Sequence, residues 1–149
     1  MPKMMKILGL FLGLIYLSLT PLSAGASDLH TAAKKGDIAT ITSLLDKGAD
    51  IEARDSNGNT PLHIATWFGN LDAVTTLLDR GADIQAINED RSSPLHFAAR
   101  EGYLEAITIL LDRGANINAE DKNAYTPLSV AAYFGQLETI ITLLVRGSA

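Results

Sequence analysis

Residues 60–70 read TPLHIATWFGN, and near-copies follow at the same spacing: SPLHFAAREGY at 93–103 and TPLSVAAYFGQ at 126–136. A partial copy, SDLHTAAKKGD, occupies 27–37. Behind each copy stands a second block: ITSLLDKGADIEA, VTTLLDRGADIQA, ITILLDRGANINA and finally IITLLVRGSA. Gly36, Gly69, Gly102 and Gly135 recur every 33 residues, as do Gly48, Gly81, Gly114 and Gly147. Self-similarity at a fixed period of this size marks stacked units rather than a closed globule.

One unit can be read physically. Thr60 is a good N-cap, and Pro61 suits the first helical position, where its missing N–H costs nothing. Leu62, Ala65 and the apolar residues after them form one helical face, which Gly69 ends. A second helix begins near Leu71 and carries Val74, Leu77 and Leu78 at i, i+3, i+4 spacing, one apolar stripe. Arg80 lies near its carbonyl end, where positive charge is favoured, and Gly81 supplies the left-handed cap. The stretch ADIQAINEDRSS then makes an extended excursion into a turn. Each unit has too little core to fold alone, and stacking buries a continuous one.

These residues make the chain similar to ankyrin-repeat proteins. The resemblance rests on TPLH at Thr60–His63, SPLH at Ser93–His96 and TPLS at Thr126–Ser129, with LLDKGAD, LLDRGAD and LLDRGAN from Leu44, Leu77 and Leu110. It covers residues 27–149 as four helix pairs, about 27–54, 55–87, 88–120 and 121–149. The fold it implies is an all-α repeat solenoid: antiparallel helix pairs with β-hairpin-like loops projecting from them. Two departures stand out. The family's Asp-x-x-Gly turn is kept at Gly58, but Arg91 and Ala124 hold the equivalent positions. A positive φ there costs each on the order of 1 kcal/mol or more, so the second and third tips are expected to be reshaped. On the last helix, Ile141 and Val145 replace Thr and Asp of the earlier units (Thr42/Asp46, Thr75/Asp79, Thr108/Asp112). That apolar pair reads as an imperfect cap or as a docking or self-association patch, since end repeats normally turn a polar face outward.

The first 26 residues are of a different kind. MPKMMK carries two lysines, ILGLFLGLIYLSL is an apolar run of 13, and TPLSAGA ends in small residues. This is the layout of a secretory signal peptide, with cleavage expected between Ala26 and Ser27. The alternative is an uncleaved anchor, against which the apolar run is shorter than the roughly 18–20 residues of a span and Pro21 interrupts its end. The 149-residue chain has twelve basic and seventeen acidic side chains, net −5. Without Lys3 and Lys6 the remainder has ten against seventeen, net −7. Such a balance argues against nucleic-acid binding. No cysteine is present, which excludes disulfides, thiolate metal sites, a cysteine nucleophile and cysteine lipidation. An exported, cysteine-free, acidic chain suits a bacterial periplasm or the secreted space.

Catalytic patterns are missing: no phosphate-binding glycine loop with Lys-Ser/Thr, no nucleophile elbow and no His-Glu-x-x-His. DSNGN is too short and wrongly spaced for a calcium loop. His30, His63 and His96 recur at the repeat period, but helices packed roughly 8–10 Å apart cannot bring their imidazoles to one zinc ion. Each lies three residues after a Ser or Thr cap, where an imidazole can bond the cap and the neighbouring loop. Asp46, Asp79 and Asp112, present in successive units, are explained by folding. The chain therefore reads as non-enzymatic, with no cofactor and no metal.

Positions that differ between units are free of the folding constraint. The pair before the first-helix glycine reads Lys34–Lys35, Trp67–Phe68, Arg100–Glu101 and Tyr133–Phe134. The turns read Arg54, Ser56, Asn57, Asn59; then Ile87, Glu89, Asp90, Ser92; then Glu120, Lys122, Asn123, Tyr125. In proteins similar to this one, those two groups line the concave groove and the hairpin tips, the usual partner-binding surface. A core role for the first group fails because cations fill Lys34, Lys35 and Arg100, though Phe68 and Phe134 can still pack back against hairpin stems. Trp67 and Tyr133 around Arg100 are residue types enriched in binding hot spots. The expectation is an exported module that binds another protein. The alternative is a self-associating or membrane-anchored scaffold, with membrane contact only if the N-terminal segment is uncleaved.

Overall fold

The computed structural model describes residues 22–148. Eight helices follow one another in that span: α1 (Leu22–Lys35), α2 (Ile38–Asp46), α3 (Pro61–Trp67), α4 (Leu71–Asp79), α5 (Pro94–Glu101), α6 (Leu104–Asp112), α7 (Pro127–Tyr133) and α8 (Leu137–Gly147). No strand is found among the described residues. Consecutive helices pair as α1/α2, α3/α4, α5/α6 and α7/α8. The pairs stack first helix on first helix and second on second, and the first-helix layer is the more closely packed. Its buried alanines explain that. Ala32, Ala33, Ala65, Ala98, Ala99 and Ala131 are all nearly or wholly enclosed, and side chains this small let helix backbones approach. The larger core side chains, Leu29, Ile41, Leu62, Leu77, Leu95, Ile107 and Leu110, run as one cluster along the stack.

Helix starts follow from the caps. Thr60 is extended and its hydroxyl accepts from the His63 N–H, while the Thr60 N–H donates to His63 Nδ1 at 3.1 Å. Ser93 and His96 repeat the arrangement at 3.1 Å. Because Nδ1 accepts, the proton sits on Nε2, which donates across the junction to the next loop: His63 to the Ser92 carbonyl at 3.0 Å and His96 to the Tyr125 carbonyl at 2.9 Å. His30 Nε2 lies 2.8 Å from the Asn59 carbonyl in the same way. His63 and His96 thus each tie one unit's cap to the following loop, whereas His30 reaches the next loop from within α1, where the expected Ser27 cap is part of the helix.

The second helices are joined by ion pairs at the same interval. Arg80 meets Asp46 at 2.7 Å, Arg113 meets Asp79 at 2.6 Å, and Arg146 meets Asp112. The periodic aspartates are the acceptors of this ladder. Between the two layers, the residues that open α4, α6 and α8 pack back onto the preceding unit, Tyr103 lying over Gly69. Asn70 donates to the carbonyls of Ala33 and Lys34, and Gln136 donates to that of Arg100. Gly102 has φ +75°, a left-handed conformation that favours glycine, while an added Cβ would meet only the movable end of the Gln136 side chain.

The second and third loop tips are not reshaped, contrary to the sequence expectation. Arg91 and Ala124 adopt φ of 58° and 61°, in the same left-handed region as Gly58 at 74°. The turn is held from its first residue. Asp55 Oδ1 accepts from the Asn57 and Asn59 N–H groups, Asn88 Oδ1 from those of Asp90 and Ser92, and Asp121 Oδ1 from those of Asn123 and Tyr125. Backbone bonds also join the tips, from the Glu89 N–H to the Asn57 carbonyl at 3.1 Å and from the Lys122 N–H to the Asp90 carbonyl at 2.9 Å. Each tip thus has two side-chain-to-backbone bonds and at least one backbone bond to a neighbouring tip, and these hold the left-handed residue in place despite its strain.

The expected signal segment, residues 1–26, lies outside the described residues up to position 21. The backbone of α1 begins at Leu22, so the Ala26–Ser27 junction falls within that helix.

Candidate functional site

The pair of residues before each first-helix glycine forms a continuous band across the four units. Lys34 Nζ lies 5.0 Å from the Phe68 ring centre, within cation–π range. Phe68 adjoins Trp67, with ring centres 5.7 Å apart. Arg100 comes next, its guanidinium 6.0 Å from the Trp67 ring and 5.1 Å from the Phe134 ring. Phe134 meets Tyr133 edge to face at 5.2 Å. Each cation is followed by two rings along the band, and the Lys34–Phe68 and Arg100–Phe134 contacts join the first residue of one pair to the second residue of the next.

Three placements differ from the sequence expectation. Arg100 is bracketed by Trp67 and Phe134 rather than by Trp67 and Tyr133, since the diagonal stagger carries Tyr133 past it. Tyr133 is instead 78% exposed at the end of the band. Phe68 and Phe134 do not withdraw against the loop stems and are 43% and 48% exposed. Trp67 is the half-buried member, packed on the core and tilted over Phe97 at 5.5 Å. Phe97 in turn meets His63 edge to face at 5.7 Å. Phe97 was not among the sequence candidates. Its counterparts Thr31, Ile64 and Val130 are smaller, and that size difference within one register was the only signal.

The loop residues divide. Ser56, Asn57, Glu89, Asp90, Glu120, Lys122, Asn123 and Tyr125 are exposed at the tips, and Lys122 Nζ reaches Asp90 Oδ1 at 2.5 Å. Ile87 is also exposed. Arg54 is exposed but spends its guanidinium on the carbonyls of Gly58 at 2.9 Å and Ile87 at 2.5 Å, so it braces the first tip. Ser92 is half-buried, its carbonyl taken by His63. Asn59 is only 2% exposed. Its amide donates to Asp55 Oδ2 at 3.2 Å and its side-chain oxygen accepts from Asn88 Nδ2 at 2.9 Å. Asn59 therefore belongs to the inside of the stack, and its variation between units reflects alternative ways of filling that space. On the band, Lys34 and Lys35 are exposed, and Glu101 is half-buried with its carboxylate 3.4 Å from Arg100 Nε.

Between the last two tips and the α5/α7 layer lies a cavity of about 350 Å³. Phe97, Arg100, Tyr133 and Phe134 form its helix side, and Asp90 and Tyr125 part of its loop side. His96 stands at its floor as a neutral imidazole, burial holding its pKa below the ordinary value. Burial acts more strongly on His63, pushing it down to about 4. Both imidazoles are committed to cap and loop. The chemistry on offer is therefore aromatic and cationic contact from the band and polar contact from the tips.

The family model described as ankyrin repeats (many copies) matches residues 29–78, and that described as ankyrin repeats (3 copies) matches residues 83–148. The chain belongs to the ankyrin-repeat family. Ankyrin repeats are in general protein–protein interaction modules, and proteins built from them are typically non-enzymatic binding modules. No curated protein matches the chain.

Proposed function

We propose that this chain is an exported binding module that recognises one partner protein through the band Lys34–Phe68–Trp67–Arg100–Phe134–Tyr133 and the adjoining loop tips. The observation that carries this reading is the exposure of Phe68, Tyr133 and Phe134 on one face, interleaved with cations and set beside a cavity. Folding does not require rings there, because Lys35 and Glu101 fill the same register in other units. Aromatic residues and arginine are the types that dominate binding hot spots. Internal bonding of the tips favours a preformed surface, which binds with little ordering cost. A net charge of −7 from residue 27 onward favours a partner with basic character. Export rests on the lysines, apolar run and small-residue junction of residues 1–26.

The test is capture from the exported fraction of the source cells, with the parent beside Phe68→Ala/Tyr133→Ala. Both substituted side chains are exposed, so the variant is expected to melt within a few degrees of the parent. A protein retained by the parent and lost by the folded variant supports the reading. Equal retention by both removes the band from it.

A further inference from the structure

The far end of the stack carries an apolar stripe that the repeat pattern does not call for. Along α8, Leu137, Ile141, Leu144 and Val145 stand at i, i+4, i+7 and i+8, one helical face, and are 68, 54, 53 and 64% exposed. Leu137 and Leu144 are ordinary repeat positions. Their counterparts Leu71, Leu78 and Leu111 are partly buried against the core. Ile141 and Val145 are different. Three preceding units hold threonine and aspartate there, and the fourth replaces both with β-branched apolar side chains.

Those replacements also remove what a further unit would need. The outer ladder runs from an aspartate of one unit to an arginine of the next, and Val145 stands where the next acceptor would be. The histidine that clamps the following loop is Ser129 in this unit, and its hydroxyl lies 3.1 Å from that of Thr126. The face is therefore poorly made for another repeat. It is well made for itself. The chain is acidic overall, so most faces repel a second copy, but the Asp-to-Val change leaves the stripe without a charged side chain.

We infer that the α8 stripe is the contact of a tail-to-tail homodimer, in which α8 of one copy lies against α8 of a second about a two-fold axis near Ile141. Only a same-face contact closes at two copies, while a head-to-tail contact would run on as a filament. The four side chains expose on the order of 450 Å² of apolar surface, about half of the ~800 Å² per partner in a stable interface. The dimer is accordingly a weak one. Pairing through α8 leaves the aromatic band of both copies open.

The test is sedimentation equilibrium of the full chain beside I141T/V145D. That variant restores residues which three other units carry at the same register, so it is expected to fold. It is expected to raise the dimer dissociation constant at least about tenfold, because two carboxylates would then enter the interface. The same concentration dependence of mass in both chains overturns the proposal. A second measurement separates α8 from association through residues 1–26. The chain has no cysteine, so I141C can be cross-linked by mild oxidation beside D72C, on the exposed side of α4. Cross-linked dimer from I141C alone supports the two-fold contact; none from I141C, or as much from D72C, overturns it.

Discussion

Replacing Ala124 with glycine should stabilise the protein. Ala124 sits at φ 61°, a conformation that costs an L-residue about 1–2 kcal/mol relative to the right-handed one. Glycine removes that cost but makes the unfolded chain more flexible, which returns about 0.4–1 kcal/mol. The Ala124 methyl is exposed, so little packing is lost. The balance is a gain of about 0.5–1 kcal/mol, or roughly 2–4 °C in Tm for a chain of this size. Urea unfolding followed by far-UV circular dichroism measures it, with an unchanged m-value showing that the cooperative unit is the same. Gly58→Ala is the mirror experiment. At φ 74° an added Cβ would also stand 3.0 Å from the Glu89 backbone nitrogen, so a loss of about 2 kcal/mol or more is expected. If Ala124→Gly proves neutral or destabilising while Gly58→Ala costs nothing, the left-handed turn is not the conformation of these tips.

Acid should weaken the stack through its histidines. The folded pKa of His63 is depressed to about 4 against an ordinary 6.5, so the unfolded state binds more protons between those values. Its contribution, on the order of 3 kcal/mol, is complete above pH 6.5 and declines as pH falls towards 4, His96 adding in the same direction. His63→Gln, which does not titrate, should flatten stability over that window in a pH series of urea midpoints. The outer ladder should matter little: Arg113→Ala is expected to cost no more than about 1 kcal/mol, and less in high salt, because both partners are exposed. Trp67→Ala should lower stability by about 2 kcal/mol by uncovering Phe97, whereas Tyr133→Ala should leave it within about 0.5 kcal/mol. Intact mass of the protein recovered from the exported fraction should correspond to a chain beginning at Ser27.

What recurs in this sequence was legible from it. The Thr60–Pro61 start, the glycine stops, the apolar stripes and the role of His63 all follow from residues repeated at one register. Distances between registers were not legible. Nothing in the spacing says that Arg100 meets Phe134 rather than Tyr133, because the stagger of one unit on the next sets that pairing. Variation also misled at Asn59. Its counterparts Ser92 and Tyr125 differ, yet in all three units the backbone carbonyl at this position receives the clamping histidine, and side-chain variation is silent about that. The retained tips had a readable cause. Asp55, Asn88 and Asp121 all carry the side-chain oxygen that holds the turn, and this recurrence outweighs the missing glycines.

The claim that matters most is that a partner lies on the aromatic band. A photo-reactive phenylalanine analogue placed at Tyr133, and separately at the exposed Asp72 on α4, followed by irradiation of the source cells, addresses it directly. An adduct of one defined mass from position 133, absent from position 72, is the expected result. Adducts from position 72 alone, or from neither position, would contradict the account.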